Sequence, residues 1–182
     1  ITTPLGPPQT FEAVPLSLAS MPAKDQAAQL DFERKTARLQ RAVRGAAQAV
    51  DEAQEHLKFI QKAILDTPKA DVKLLERARQ IDLHLQDIEV KLSGDPTLTS
   101  HNEPTPPAIL DRVDNIVQGH WSTSSEATQT YRDDYAVAAA EFAPVLEDVR
   151  KTIEVDLKGL ETQLEAAGAP WTPGRVPNWK PE

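Results

Sequence analysis

Between Phe32 and Ile64 the chain repeats a packing residue at alternating steps of four and three: Phe32, Thr36, Leu39, Val43, Ala46, Val50, Ala53, Leu57, Ile60 and Ile64. A β-strand alternates with period two, so a sustained period of 3.5 fixes an α-helix whose seam packs against other helices. Thr36 is the one polar rung, and its methyl group can still pack. The pattern predicts a helix from about Asp25 to Thr67, a rod of roughly 60 Å at 1.5 Å per residue. Asp66-Thr67-Pro68 stops it, because proline cannot continue the hydrogen-bond ladder.

A second ladder follows at Leu74, Ala78, Ile81, Leu85, Ile88 and Leu92. Asp71 stands near its start, and Gly94 is placed to end it in a left-handed cap. The short connection makes these two helices antiparallel neighbours. Residues 95–108 hold Pro96, Pro104, Pro106 and Pro107 and read as a loop. A short helix is expected from about Pro107 to Gln118, with Ile109, Val113 and Ile116 inward and Gly119 breaking it. Ser122, Thr123, Ser124 and Ser125 offer N-caps for a last helix from about Glu126 to Ala167. Its ladder is Tyr131, Tyr135, Ala138, Phe142, Val145, Val149, Ile153, Leu157, Leu160 and Leu164. The steps through 149, 153 and 157 insert one extra residue into the heptad phase, and Pro144 predicts a kink near Glu141.

The expected fold is therefore all-α: an elongated up-down bundle of two long helices, one medium and one short. The two shorter pieces laid end to end match one long rod, which favours an up-down-up arrangement with a broken middle element. A four-helix bundle with the short helix folded over one end is the alternative. Charge leans toward parallel first and last helices. Arg34, Lys35, Arg38, Arg41 and Arg44 have no acid between them, while the last helix opens with Glu126, Asp133, Asp134 and Glu141. Exposed pairs contribute only about 0–1 kcal/mol each, so this is a bias and no more.

The ends read differently. Residues 1–23 contain five prolines and a polar–apolar alternation over Gln9–Leu16, as in an extended linker or the last strand of a preceding β domain. Residues 24–167 form the helical bundle, and 168–182 a tail rich in proline and tryptophan. The chain opens on Ile1 without a basic and apolar leader, which reads as a cut inside a longer chain.

Composition narrows the function classes. A net charge of −8 disfavours nucleic acid and anionic membrane surfaces as partners. With no cysteine, thiolate metal sites and cysteine nucleophiles are excluded. The run Ala136–Ala140 is far too short for membrane insertion.

No catalytic, cofactor-binding or metal-ligating residue stands out. His56, His84, His101 and His120 never fall three or four apart, so no helical ligand pair forms. Inward positions are aliphatic, unlike di-metal bundles that turn carboxylates inward; Glu141, beside Phe142, lacks a histidine partner. Asp133 and Asp134 are adjacent and point about 100° apart, as in a solvated face rather than an acid–base couple. The Arg34–Arg44 run could bind phosphate or an acidic partner, and internal pairing is the simpler reading. Seven scattered glycines build no phosphate loop, and capping accounts for the serines at 122–125. Trp121, Trp171 and Trp179 are expected to pack on the bundle or on a preceding domain.

Several loop segments carry a resemblance. Thr3-Pro4-Leu5-Gly6-Pro7-Pro8-Gln9-Thr10-Phe11 looks like the end of a β-sandwich. Asn102-Glu103-Pro104-Thr105-Pro106-Pro107, Gly119-His120-Trp121-Ser122 and Gly168-Ala169-Pro170-Trp171-Thr172-Pro173-Gly174-Arg175 follow it. Together they resemble the C-terminal region of bacterial sortilin-like, BNR-repeat β-propeller proteins labelled glycosyl hydrolases. The resemblance implies a non-catalytic helical module of an exported protein, periplasmic or extracellular. Its partners would be preceding domains of the same chain, another protein or a second copy. The alternative it implies is an accessory part of a glycoside hydrolase whose active site lies in the propeller. No catalytic residue carries over to these positions.

Overall fold

The computed structural model describes residues 6–7, 9–13, 23–101, 103–120, 123, 125–177 and 179. Within them the chain is all-helical, with no strand. Gln9–Ala13 has no regular secondary structure, and the remainder of the alternating stretch at 14–16 lies outside the described residues.

Helix α1 spans Gln26–Leu65. Asp25 opens it, its carboxylate accepting from the Ala28 amide at 2.9 Å, and Asp66 closes it. Helix α2 spans Lys73–Ser93 and ends at Gly94, whose φ of 87° and ψ of 167° form an extended positive-φ conformation that glycine enters freely, not the left-handed helical cap expected. The stretch read as a loop contains a short helix, α3, at Pro96–Ser100. Asp95 caps it by accepting from the Thr97 and Leu98 amides, and Pro96 takes the first helical position, where no amide donor is needed.

Helix α4 spans Ile109–His120 and runs through Gly119, which does not break it. A β-carbon at 119 would collide with the Tyr131 ring, so this glycine answers to close packing rather than to a turn. Helix α5 spans Gln129–Arg150 and stays helical through Pro144. Its cap is Thr128, whose hydroxyl accepts from the Tyr131 amide at 3.3 Å; Ser122 and Ser124, expected as caps, lie outside the described residues. A π-helical segment, Lys151–Leu157, joins α5 to α6 at Lys158–Ala166. The extra residue in the heptad phase is taken up here, because a π turn bonds i to i+5 and lodges one residue without breaking the helix. As a result Thr152 is buried and Ile153 only half-buried.

Cross-helix contacts give the directions. Gln54 of α1 donates to Glu89 of α2, while Gln40 and Gln29 of α1 reach Asp114 and His120 of α4. Rising numbers in α4 thus meet falling numbers in α1, and α2, which turns back from the end of α1 at Asp66, lies against α1 through Gln54 and Glu89. The last helical run goes the other way: Phe32 and Lys35 meet Tyr135, and His56 meets Glu161. Leu57, Ile60, Leu85, Ile88, Leu92 and Leu160 are fully buried in one continuous core. Burying such a side chain contributes about 1.5–3 kcal/mol. A smaller cluster of Phe32, Ile116 and Ala127, flanked by Tyr131 and Tyr135, closes the end where α1 begins.

Candidate functional site

Two polar clusters centre on a histidine, one at the start of α1 and one in its second half. At its start, Gln29 is buried and makes three contacts at once. Its amide nitrogen donates to Glu33 at 3.0 Å and lies 3.2 Å from Nδ1 of His120, and its oxygen accepts from the Ala127 amide at 2.9 Å. An amide donor facing Nδ1 makes that nitrogen the acceptor and assigns the proton to Nε2. That Nε2 is buried and has no hydrogen-bond partner among the described residues. His120 lies edge-on to Phe32 at 5.9 Å and tilted against Tyr131 at 5.0 Å. Lys35 Nζ sits 4.4 Å from the centre of the Tyr135 ring, a favourable cation–π distance.

The second cluster forms where the chain following α6 crosses α1. His56 Nε2 lies 3.1 Å from the Thr172 hydroxyl and 3.1 Å from Glu161 Oε1. The hydrogen bond goes to Thr172; Glu161 Oε1 accepts none among the described residues and stands as a charge between His56 and Arg175, whose Nε is 3.9 Å away. Arg175 donates to Glu165 at 2.7 Å and stacks 4.7 Å from the Trp171 ring. Beside this clasp the π segment opens a cleft of about 510 Å³ lined by His56, Ile153, Leu157 and Glu161.

Histidine, carboxylate and hydroxyl together invite comparison with a nucleophile–base–acid relay. The geometry is different. A relay places the hydroxyl on one ring nitrogen and the carboxylate on the other. Here both approach Nε2, and Thr172 is buried. The arrangement suits joining the chain after α6 to α1.

Other residues weighed from sequence fall as follows. Asp133 is exposed, whereas Asp134 is half-buried and bound by Arg112 at 3.1 Å and Asn115 at 3.1 Å; the pair does not converge. Glu141 is exposed. His84 is half-buried and His101 exposed. The internal pairing expected for the basic run is confined to Arg44, which grips Asp114 of α4 at 2.8 Å, not the acids of α5. Arg34, Arg38 and Arg41 are exposed and have no ion-pair partner among the described residues. They lie on the side of α1 opposite its buried seam, where no neighbouring helix reaches.

Of the two placements expected for the tryptophans, burial on the bundle is not found: Trp171 is 40% exposed and Trp179 78% exposed, and the tail is joined to the bundle through Thr172 and Arg175. Trp121 lies outside the described residues. A further cleft of about 610 Å³ opens where the α2–α4 line is interrupted, lined by Val90, Leu98, Pro107, Pro144 and Val145. Among the described residues no three His, Asp or Glu side chains assemble as a metal-binding group, and no helix is long and apolar enough to cross a membrane.

Sequence alone could not bring His56 to Thr172, 116 residues apart. Compared with family models, curated proteins and solved structures, the chain matches none.

Proposed function

We propose that this chain is a non-catalytic helical module of a larger exported protein of the sortilin-like propeller kind, an elongated up-down bundle with proline-rich ends. It acts in domain packing, partner binding or self-association, in the periplasm or outside the cell. The observation that carries the reading is how its buried polar groups are used. Gln29 and His120 tie α1 to α4 and to the chain before α5, and His56 and Thr172 tie α1 to the chain after α6. Each makes a hydrogen bond that joins one element to another, and the seam between them is apolar.

The test uses the full-length protein. His56→Ala and Glu161→Gln should leave any turnover by the parent unchanged and lower only the stability of this region. Turnover abolished by either substitution, with the circular dichroism spectrum retained, would overturn the proposal.

A further inference from the structure

The outer face of α1 is charged in two blocks of opposite sign. Reading along the side away from the core, the residues are Leu30, Arg34, Ala37, Arg41, Gly45, Gln48, Glu52, Glu55 and Phe59, spaced by three or four, with Arg38 beside Ala37. The basic block precedes Gly45 and the acidic block follows it. Leu30 is 44% exposed and Phe59 47% exposed, one apolar residue at each end. Gly45 would meet nothing within 4 Å if it carried a β-carbon, so packing within one copy does not explain a glycine in mid-helix, where alanine is the better helix former.

We propose that a second copy of this chain docks on this face, α1 against α1, antiparallel about a two-fold axis that passes between Arg44 and Gly45. The inference rests on the self-association branch of the reading above and names its surface. In that register Leu30 faces Phe59 of the other copy, Arg34 faces Glu55, Ala37 and Arg38 face Glu52, and Arg41 faces Gln48. The two glycines meet at the centre, where the missing side chains let the backbones approach. A two-fold contact must be self-complementary, each residue meeting its counterpart in both directions, and this sequence of charges satisfies that. A parallel register sets arginine on arginine and is excluded by repulsion. The register also gives acidic partners to Arg34 and Arg38, which have no ion pair among the described residues. Glu55 has Lys58 one turn away, but both are exposed at 67% and the pair yields readily to a better partner. At the acidic end a groove of about 420 Å³, lined by Glu52, Glu55, Phe59, Pro173 and Gly174, is open to receive Leu30 and Arg34 of the second copy.

Sedimentation equilibrium of the 182-residue chain tests this. The wild type should dimerise at about 0.1–1 mM, as expected for a small interface. Salt at about 0.5 M, where screening falls to a few ångströms, should weaken the dimer at least tenfold. R34E/R38E and E52R/E55R should each be monomeric alone, because both arginine–glutamate pairings become like-charged. Mixed in equal amounts they should form a heterodimer, because both pairings become opposite in charge again. Gly45→Trp should abolish association while the helix signal is retained. A wild type that stays monomeric at about 1 mM in low salt, or charge variants that each dimerise like the wild type, would overturn the inference. Either result leaves the domain-packing role standing, since that is read from the parent protein's turnover and fold.

Discussion

The hydroxyl of Tyr131 lies over the α-carbon of Gly119, in the space where any other residue would place its β-carbon. A side chain of α5 thus fills, against α4, the space that a residue other than glycine would need at 119. Gly119→Ala should therefore lower stability by about 1–2 kcal/mol, the overpacking cost outweighing the usual gain of alanine in a helix. Adding Tyr131→Phe removes the nearest colliding atom and should recover part of that loss. Gly45→Ala, facing open space, should raise stability by up to about 1 kcal/mol. Urea melts of the four proteins decide it, and Gly119→Ala matching the wild type would refute the packing account.

The aliphatic seam sets the largest single-site effects. Leu85 is fully buried and Leu83, on the same helix, is 51% exposed. Leu85→Ala should cost about 2–5 kcal/mol, transfer and cavity terms together. Leu83→Ala should stay within about 0.5 kcal/mol of wild type. Equal losses at the two positions would mean that α2 is rotated from the face described.

Adjacent acids should behave unequally. Asp134 accepts from Arg112 and Asn115, with only 17% of its side chain and 21% of that of Arg112 exposed. Asp134→Ala should cost about 1–3 kcal/mol, chiefly by leaving the guanidinium half-buried without its partner. Asp133→Ala, exposed on the same helix, should be close to neutral. The measurement is thermal unfolding of both variants side by side, and a larger loss at Asp133 would contradict the assignment.

The a/d ladders state where the core lies because helix periodicity is local: Phe32 to Ile64 mark the buried face of α1, Leu39 alone remaining half-buried. Capping was less legible. Several hydroxyls compete near residue 125, and only the placement of the first α5 turn selects Thr128. Gly119 misleads for a related reason: sequence gives a glycine's freedom but not its neighbours, and the neighbour here is a ring 12 positions later. The tail clasp was hidden entirely. His56, Glu161 and Thr172 come from three segments, and no period connects them. The basic run was visible, yet its pairing depends on which helix faces it. Arg44 lies within reach of Asp114 on α4 and Lys35 lies over Tyr135 of α5, while Arg34, Arg38 and Arg41 turn outward.

The π segment makes the most specific prediction. Buried positions in the last helical run fall at 138, 142, 145, 149, 152, 157, 160 and 164, and the single step of five spans 152 to 157. Glu154 and Val155 within that step are exposed. Deleting Glu154 would turn the step of five into four and make the whole run an uninterrupted heptad, with an α turn replacing the π turn. The core residues of α6 would keep their facing, because one residue is all that separates the two geometries. Such a deletion should change stability by no more than about 1 kcal/mol. Deleting Ala143, equally exposed but inside regular helix, rotates everything beyond it by about 100° and drives Val145 and Val149 out of the seam. That variant should lose more than about 4 kcal/mol or fail to fold. Thermal unfolding of the two deletion variants gives the comparison. Similar losses in both would show that the π turn is fixed by something other than the extra residue it carries.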